Sequence, residues 1–422
     1  MTDQIDKETL PATETAVADA PTASESAESS ADQRRSFLKG AGALGALTAL
    51  GVLSGCDDNK KKRGSEETKE PTPTASASAA PAAGSSKITW KVQTAWDAGT
   101  VGFAAFEKFA RSISELSGGK LEIEPQANNA LAKTFDLFAA VKSGDVDAMH
   151  SFPIYWVKDM PVCAFLCSYP LGMDRPDQWE TWYYELGGLD LARKAYEANN
   201  IHFVGMVQHD LNLIHSKVPI RSFEDFKKKK IRFPGGLIGD VFKAAGVDVA
   251  TFPGGKVYGA LKDGQVEAAD FTGPAVNFNL GFADVAKYII MGPPSTPCLH
   301  QPCDLMEFSV NLKKWQELSP ALQGLFTAAV RKFSWDHYAY IQRENVKAWG
   351  KFREKGVEVI RLTETDVGKF RKIAVPLWFQ WAKKDPLATT AFKSQIEFMR
   401  SDNIAYVNDA MLVDEKGQKL TI

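Results

Sequence analysis

The chain has 422 residues, with 50 basic against 52 acidic side chains and a net charge of −2. Near-neutrality implies no nucleic-acid or acidic-polymer partner, and the length suffices for one or two sizeable cores. The hydrophobic and aromatic fractions, 44% and 11%, are those of an ordinary soluble globular protein, and the one long apolar run lies near the N-terminus, so its role decides the compartment.

Residues 1–33 are rich in Thr, Ala, Ser, Glu and Asp and hold too few large apolar side chains to fold. Arg34-Arg35-Ser36-Phe37-Leu38-Lys39 follows, then a weakly hydrophobic Gly/Ala segment from Gly40 to Gly55, a sequence that resembles a twin-arginine export signal. Its length of 16 residues falls short of the ~20 a membrane-spanning helix needs. Leu53-Ser54-Gly55-Cys56 resembles the site where a bacterial lipoprotein is acylated and cleaved, which makes Cys56 the expected lipid anchor. From Asp57 to Ser86 the Lys, Glu, Thr, Pro, Ala and Ser composition lacks periodicity and describes a flexible tether. Gly40-Ala41-Gly42-Ala43-Leu44-Gly45 matches GxGxxG, but no strand precedes it and it lies inside the export signal, so it is not a dinucleotide site.

In the globular part the alternating run Ile88–Trp96 predicts a strand, 102–116 a helix, 121–125 a strand, 135–142 a helix and 146–152 a strand. That order implies right-handed crossovers and a largely parallel α/β sheet. Ala140, Lys142, Gly144, Val146 and Ala148 recur identically as Ala260, Lys262, Gly264, Val266 and Ala268, an offset of 120. Two similar lobes follow from reading this as a repeat. The match sets His150 and Ser151 in one lobe against Asp270 and Phe271 in the other, with both pairs expected on one cleft.

Within the second copy, 231–274 reads as strand, two short amphipathic helices, strand. Arg232 and Asp270 then sit at carboxyl ends of strands, where open α/β sheets bind ligands. A fixed cation beside a fixed carboxylate predicts a site for a small anion. From Ser319-Pro320 a helical pattern runs unbroken to Lys355 before Gly356, about 55 Å at 1.5 Å per residue. A further helix over 364–383, kinked at Pro376, carries Trp378, Phe379 and Trp381 as an expected exposed aromatic face. Cys163, Cys167, Cys298 and Cys303 lack structural-zinc spacing and are open to being disulfides or buried thiols.

Several of these stretches together resemble the extracytoplasmic solute receptors of TRAP (tripartite ATP-independent periplasmic) transporters. They are Gln93-Thr94-Ala95-Trp96, Ser117-Gly118-Gly119-Lys120-Leu121, 140–148, Tyr155-Trp156, Pro170-Leu171-Gly172-Met173, Lys230-Ile231-Arg232, Tyr258-Gly259-Ala260-Leu261 and Gly273-Pro274. The likeness spans roughly 88–408 and is nearest the branch that binds 2-oxo and 2-hydroxy monocarboxylates with a metal cation. It implies an α/β, two-lobed clamshell with a long spine helix across both lobes: 1–55 signal peptide, 56–87 linker, 88–211 first lobe, 212–305 second lobe, 306–422 return strand, spine and C-terminal helices. It also implies a periplasmic receptor, not an enzyme, that delivers its ligand to small and large membrane permease subunits.

By that resemblance Arg232 is the residue that clamps the substrate carboxylate, with two parallel N–H donors. Asp270 stands where the branch has a metal-ligating glutamate, and the Phe271 carbonyl stands for a tryptophan's. Together they imply a Na⁺ or Ca²⁺ site. The loop 207–212 offers Gln208 or Asn212 as a further ligand, depending on register, with His209 and Asp210 as alternatives. Tyr155 is the ligand-touching tyrosine, and Phe152 and Trp96 form an apolar wall. C-terminal helices of the branch mediate dimers, so a homodimer is expected from the aromatic face. The competing reading is an exported metal or redox enzyme using His150, His209, Cys298, His300 and Cys303, although no catalytic triad, nucleophile elbow or cofactor fingerprint is visible.

Overall fold

The computed structural model describes residues 87–422; the export signal, Cys56 and the tether lie outside the described residues. The first lobe begins with β1 (Ile88–Thr94), α1 (Val101–Leu116), β2 (Leu121–Gln126), α2 (Leu137–Ser143) and β3 (Ala148–Ser151). Thr100 starts α1 by accepting the Phe103 amide on its side chain, which satisfies one of the donors a helix start leaves free. After α3 (Pro176–Glu185) and α4 (Gly188–Glu197) comes β4 (Ile201–Gln208).

The second lobe holds β5 (Leu213–Ser216), β6 (Lys230–Arg232), α5 (Gly236–Ala244), β7 (Asp248–Ala250), α6 (Val257–Lys262), β8 (Ala268–Phe271), α7 (Pro274–Asn279), α8 (Phe282–Val285) and β9 (Tyr288–Met291). The chain then returns through β10 (Leu305–Asn311) and α9 (Leu312–Gln316). It ends in α10 (Pro320–Glu354), β11 (Glu358–Arg361), α11 (Glu364–Ala382) and α12 (Pro386–Arg400).

The two sheets share one plan. The first runs β2-β1-β3-β10-β4 and the second β7-β6-β8-β5-β9, with β11 added at the end. In each, three parallel strands meet one reversed strand that has crossed from the other lobe, β10 in the first and β5 in the second. The largely parallel sheet expected from the sequence is therefore interrupted at the crossing strand. The repeat holds in detail, because the single-turn helices Thr134–Asp136 and Gly254–Lys256, then α2 and α6, then β3 and β8, all begin 120 residues apart. Gly144 and Gly264 both take positive φ, 89° and 69°, a conformation open to glycine and strained for other residues. Val146 and Val266 each donate an amide to Ala140 and Ala260.

The long helix is α10, 35 residues, packed on β4 of the first lobe and on α7 of the second, so it spans both as expected. Pro376 lies inside α11 as predicted, but the aromatic face is not exposed: Trp378, Phe379 and Trp381 are all buried. Trp378 donates its indole N–H to the Pro170 carbonyl and Phe379 packs edge-on against Phe392 of α12. The surface offered for a homodimer is thus covered by the chain itself. Cys163, Cys167, Cys298 and Cys303 are free buried thiols, not disulfides.

Candidate functional site

Two crossings between the lobes, 209–212 and 292–304, form a paired hinge. His209 donates its amide to the Asp304 carbonyl, Asp304 to that of Asp210, and Asn212 to that of Gln301. The cleft beside this hinge is narrow, with a cavity volume of about 20 Å³, and is lined by Phe152, Ile154 and Tyr155 from the first lobe and by Arg232, Pro234, Asp270, Phe271 and Thr272 from the second. Asn212, Gln301 and Asp304 come to it from the hinge itself. Phe152 and Thr272 are equivalent in the repeat, being 120 residues apart, so the two lobes present matching strand ends to one cleft.

Arg232 is 2% exposed, and four of its five N–H donors are used within the chain. Nε and Nη2 both donate to the Phe252 carbonyl at 3.0 and 2.9 Å, and Nη1 donates to the Asp270 carbonyl at 2.8 Å and to Asp270 Oδ2 at 3.2 Å. The expected two-pronged fork is therefore turned onto the protein's own backbone, leaving one Nη2 hydrogen and the positive charge for a ligand. Asp270 is also held from the other side, where His300 Nε2 lies 2.9 Å from Oδ1. Burial opposes a charge on His300, but Cys298, whose Sγ lies 3.5 Å from Nδ1, and Asp270 together hold the imidazolium up to about 10. Cys298, His300 and Asp270 lie in the order of nucleophile, base and orienting acid. Cys298, however, is buried behind the cleft lining, so the set fixes Asp270 rather than presenting a nucleophile.

The remaining polar groups supply donors and one open acceptor. Burial, reinforced by Asp270, pushes the Asp304 carboxyl up to about 8, so at neutral pH it keeps its proton and offers an O–H. Burial likewise raises the Tyr155 phenol to about 12. Asn212 Nδ2 donates to Gln301 Oε1 at 3.0 Å, and the buried Oδ1 has no partner among the described residues.

Of the residues singled out from sequence, Arg232, Asp270, Phe271, Asn212, Tyr155 and Phe152 meet at the cleft. Gln208 and Trp96 do not: Gln208 Nε2 donates to the Pro176 carbonyl, and Trp96 packs edge-on behind Phe152. His150, expected on the cleft, is buried in the first lobe against Phe106, and His209 lies against Trp96. Asp210 is also off the cleft and ties the hinge to α10 through Gln342 and Asn345. Nor do the histidines and cysteines of the competing enzyme reading converge, since Cys303 sits by Ser168, apart from Cys298 and His300. Among the described residues no three His, Cys, Asp or Glu side chains are grouped to hold a metal. Sequence reasoning missed Gln301 and Asp304, whose loop carries no periodicity to mark it, and named His300 only for the competing enzyme reading, not as the partner of Asp270.

Comparison with known proteins places this architecture. Residues 92–385 match bacterial extracellular solute-binding protein family 7 (DctP), and the chain belongs to that family. Residues 33–51 match the twin-arginine translocation pathway signal sequence, consistent with export to the periplasm. The chain is 27% identical over 337 residues to the monocarboxylate 2-oxoacid-binding periplasmic protein of Nostoc sp., covering 78% of this chain and 90% of that one. It is similar to a TRAP periplasmic solute-binding protein from Rhodobacter sphaeroides in an apo open structure, at 26% identity, TM-score 0.58, and 75% and 99% coverage of the two chains. It is also similar to one from Colwellia psychrerythraea with bound calcium and pyruvate, at 25% identity, TM-score 0.68, and 76% and 99% coverage. The two-lobed receptor fold and the family expected from the sequence are borne out.

Proposed function

We propose that the protein captures a small 2-oxo or 2-hydroxy monocarboxylate, such as pyruvate, and hands it to TRAP membrane permease subunits without chemical change. The observation that carries this reading is the cleft's charge pattern: the Arg232 guanidinium and the His300 imidazolium flank the one carboxylate Asp270, leaving a single net positive charge beside two neutral O–H donors on Tyr155 and Asp304. One carboxylate is matched by such a site, whereas a dicarboxylate would bring a second, unpaired charge. The Arg232 charge and its remaining N–H attract the carboxylate; Tyr155 and Asp304 donate to its oxygens or to the 2-oxygen; Phe152 and Phe271 exclude water.

The relatives raise the question of a cation. Asn212 Oδ1, a buried acceptor without a partner, fits a hard oxygen-seeking ion. Asp270 retains acceptor capacity beyond its two donors. We therefore assign Asp270, the Phe271 carbonyl and Asn212 Oδ1, rather than Gln208, as the groups that would hold Na⁺ or Ca²⁺. Such an ion would supply positive charge for the ligand's carboxylate and 2-oxygen. The same reading takes Met1–Gly55 as a cleaved signal and acylated Cys56 as the membrane anchor of a tethered receptor whose lobes divide near Leu211 and Leu305.

A thermal-shift titration with pyruvate tests this. Ligand at 100 times its dissociation constant should add about 2.7 kcal/mol of stability, and Arg232→Ala should remove the shift. A shift retained in that variant would overturn the site. Loss of the shift with a chelator supports Ca²⁺, persistence with chelator but dependence on sodium supports Na⁺, and indifference to both removes the cation. The mass of the exported protein should begin at a diacylated Cys56; an unmodified terminus would remove the anchor.

A further inference from the structure

Beside its polar groups the cleft presents four apolar side chains, Phe152, Ile154, Pro234 and Phe271. Three of them are rings with fixed surroundings. Phe152 lies edge-on between Trp96 and Tyr155, with ring centres 5.5 and 5.7 Å away. Phe271 rests on Phe282 at 5.7 Å and fills the space left by Gly254, where a Cβ would lie 2.3 Å from its ring. Pro234 is tied into its own backbone. Among the described residues Ile154 is the one open-chain aliphatic side chain on the lining. It projects from the single-turn helix Pro153–Trp156 and is 3% exposed. Its tip meets the other lobe: a Cβ at Gly236, the first residue of α5, would lie 3.2 Å from Ile154 Cδ1 and 3.0 Å from Val157 Cγ1. Gly236 has a positive φ of 60°, so a side chain there would be strained as well as crowded. Glycine thus lets the second lobe settle directly onto Ile154, four residues beyond Arg232.

We propose that Ile154 sets the length of acid the receptor accepts, selecting a three-carbon 2-oxo acid against its longer homologues; this rests on the reading of the cleft as a monocarboxylate site. The cavity of about 20 Å³ is little more than the roughly 10–15 Å³ that one water needs, so the cleft holds no slack for an alkyl tail. An acid anchored by its head at Arg232 turns that tail to the apolar lining, and Ile154 Cδ1 is the atom there on which the lobes close. Each methylene added to the tail then has to push against the seam between Ile154 and Gly236, holding the lobes apart. Overfilling a close-packed contact in this way is unfavourable, and shortening Ile154 relieves it.

Pyruvate, 2-oxobutanoate and 2-oxopentanoate, titrated calorimetrically into the full exported chain, form a series that differs by one methylene at a time. In the wild type each added methylene should lower affinity about tenfold, the low end of what one methylene is worth in an apolar pocket. Ile154→Val removes Cδ1 alone, keeps a branched side chain in the buried turn, and should bring 2-oxobutanoate level with pyruvate. Ile154→Ala should extend that recovery to 2-oxopentanoate. A structural role alone would weaken all three acids together and leave their ratios as they were. Ratios unchanged in Ile154→Val, uniform weakening across the series, or equal binding of the three acids by the wild type would each overturn the proposal while leaving the acid site standing. Failure of the wild type to bind any of the three would overturn the reading of the cleft and this proposal with it.

Discussion

At the scale of single residues, the cleft shows how burial changes what a side chain can offer. Asp304 is a carboxyl by composition, yet burial and the neighbouring Asp270 keep its proton on up to about pH 8, so it offers the cleft a donor rather than a negative charge. Binding of a carboxylate should accordingly hold steady through neutral pH and weaken as Asp304 ionises above about 8. Asp304→Asn keeps a neutral donor in place at every pH, so its affinity should match wild type at pH 7 and exceed it about tenfold at pH 9, a ratio worth about 1.4 kcal/mol. Isothermal titration of pyruvate at the two pH values measures this. A wild-type affinity that does not change from pH 7 to 9 would contradict the role given to Asp304. None of this is visible in the sequence, where Asp304 sits 34 positions beyond Asp270 in a loop with no period. Arg232 and Asp270, by contrast, were legible, because each lies at or next to the end of a short strand in a segment of regular helix–strand grammar.

At the scale of elements, the structure rests on a hinge whose parts are far apart in the chain. Asp210 accepts from Gln342 Nε2 at 3.0 Å and from Asn345 Nδ2 at 2.5 Å, and Asn345 in turn accepts the Ala275 amide at the start of α7. The spine helix thus grips the hinge and the second lobe with adjacent turns. Gly273 completes the junction: a Cβ there would lie 1.7 Å from Asp210 Oδ2, and Asp210 cannot give way without releasing α10. Gly273→Ala should therefore cost about 1–3 kcal/mol, as overpacking does in close-packed interiors. Asp210→Ala in the same chain should recover part of that loss, a coupling that urea unfolding of the two single variants and the double variant would measure. Additive losses would mean the contact does not set the junction. Local pattern made the repeat and the length of α10 legible, since a glycine at positive φ and a breaker-free helix leave marks within a few residues. The hinge left none, and the aromatic face of α11 was misread as exposed because α12, which covers it, follows only after a turn and gives no sign of where it folds back.

At the scale of the whole molecule, two opposed sets of buried titratable groups govern how stability responds to pH. Burial lowers His150, His209, His215 and His337, the last two to about 3 and about 4. A depressed histidine contributes stability that is present above the unfolded value near 6.5 and lost as pH falls. Burial raises Asp210, Glu307 and Asp304 to about 6, 7 and 8, and these contribute in the opposite sense, with stability full below about 4 and lost as pH climbs through each value. His300, held up to about 10, adds to the loss on the alkaline side. Near pH 5 unfolding would add protons at four histidines and release them at three carboxyls, a net uptake of about one proton, so stability still rises with pH there. Above pH 7 the histidines fall silent and the raised groups remain. Stability of the ligand-free protein should then peak around pH 6–7 and decline toward pH 9, each net proton being worth about 1.4 kcal/mol per pH unit. Glu307→Gln separates the two sets. Trp156 donates to one Glu307 oxygen and Ser309 to the other, and a glutamine can keep both contacts once the Ser309 hydroxyl turns to accept. With one raised carboxyl gone, the rise from pH 5 to 7 should steepen and the maximum move to higher pH in urea unfolding at pH 5, 6, 7, 8 and 9. A wild-type curve that climbs steadily from pH 6 to 9, or a maximum that stays in place in Glu307→Gln, would show that these buried carboxyls are ionised in the folded protein.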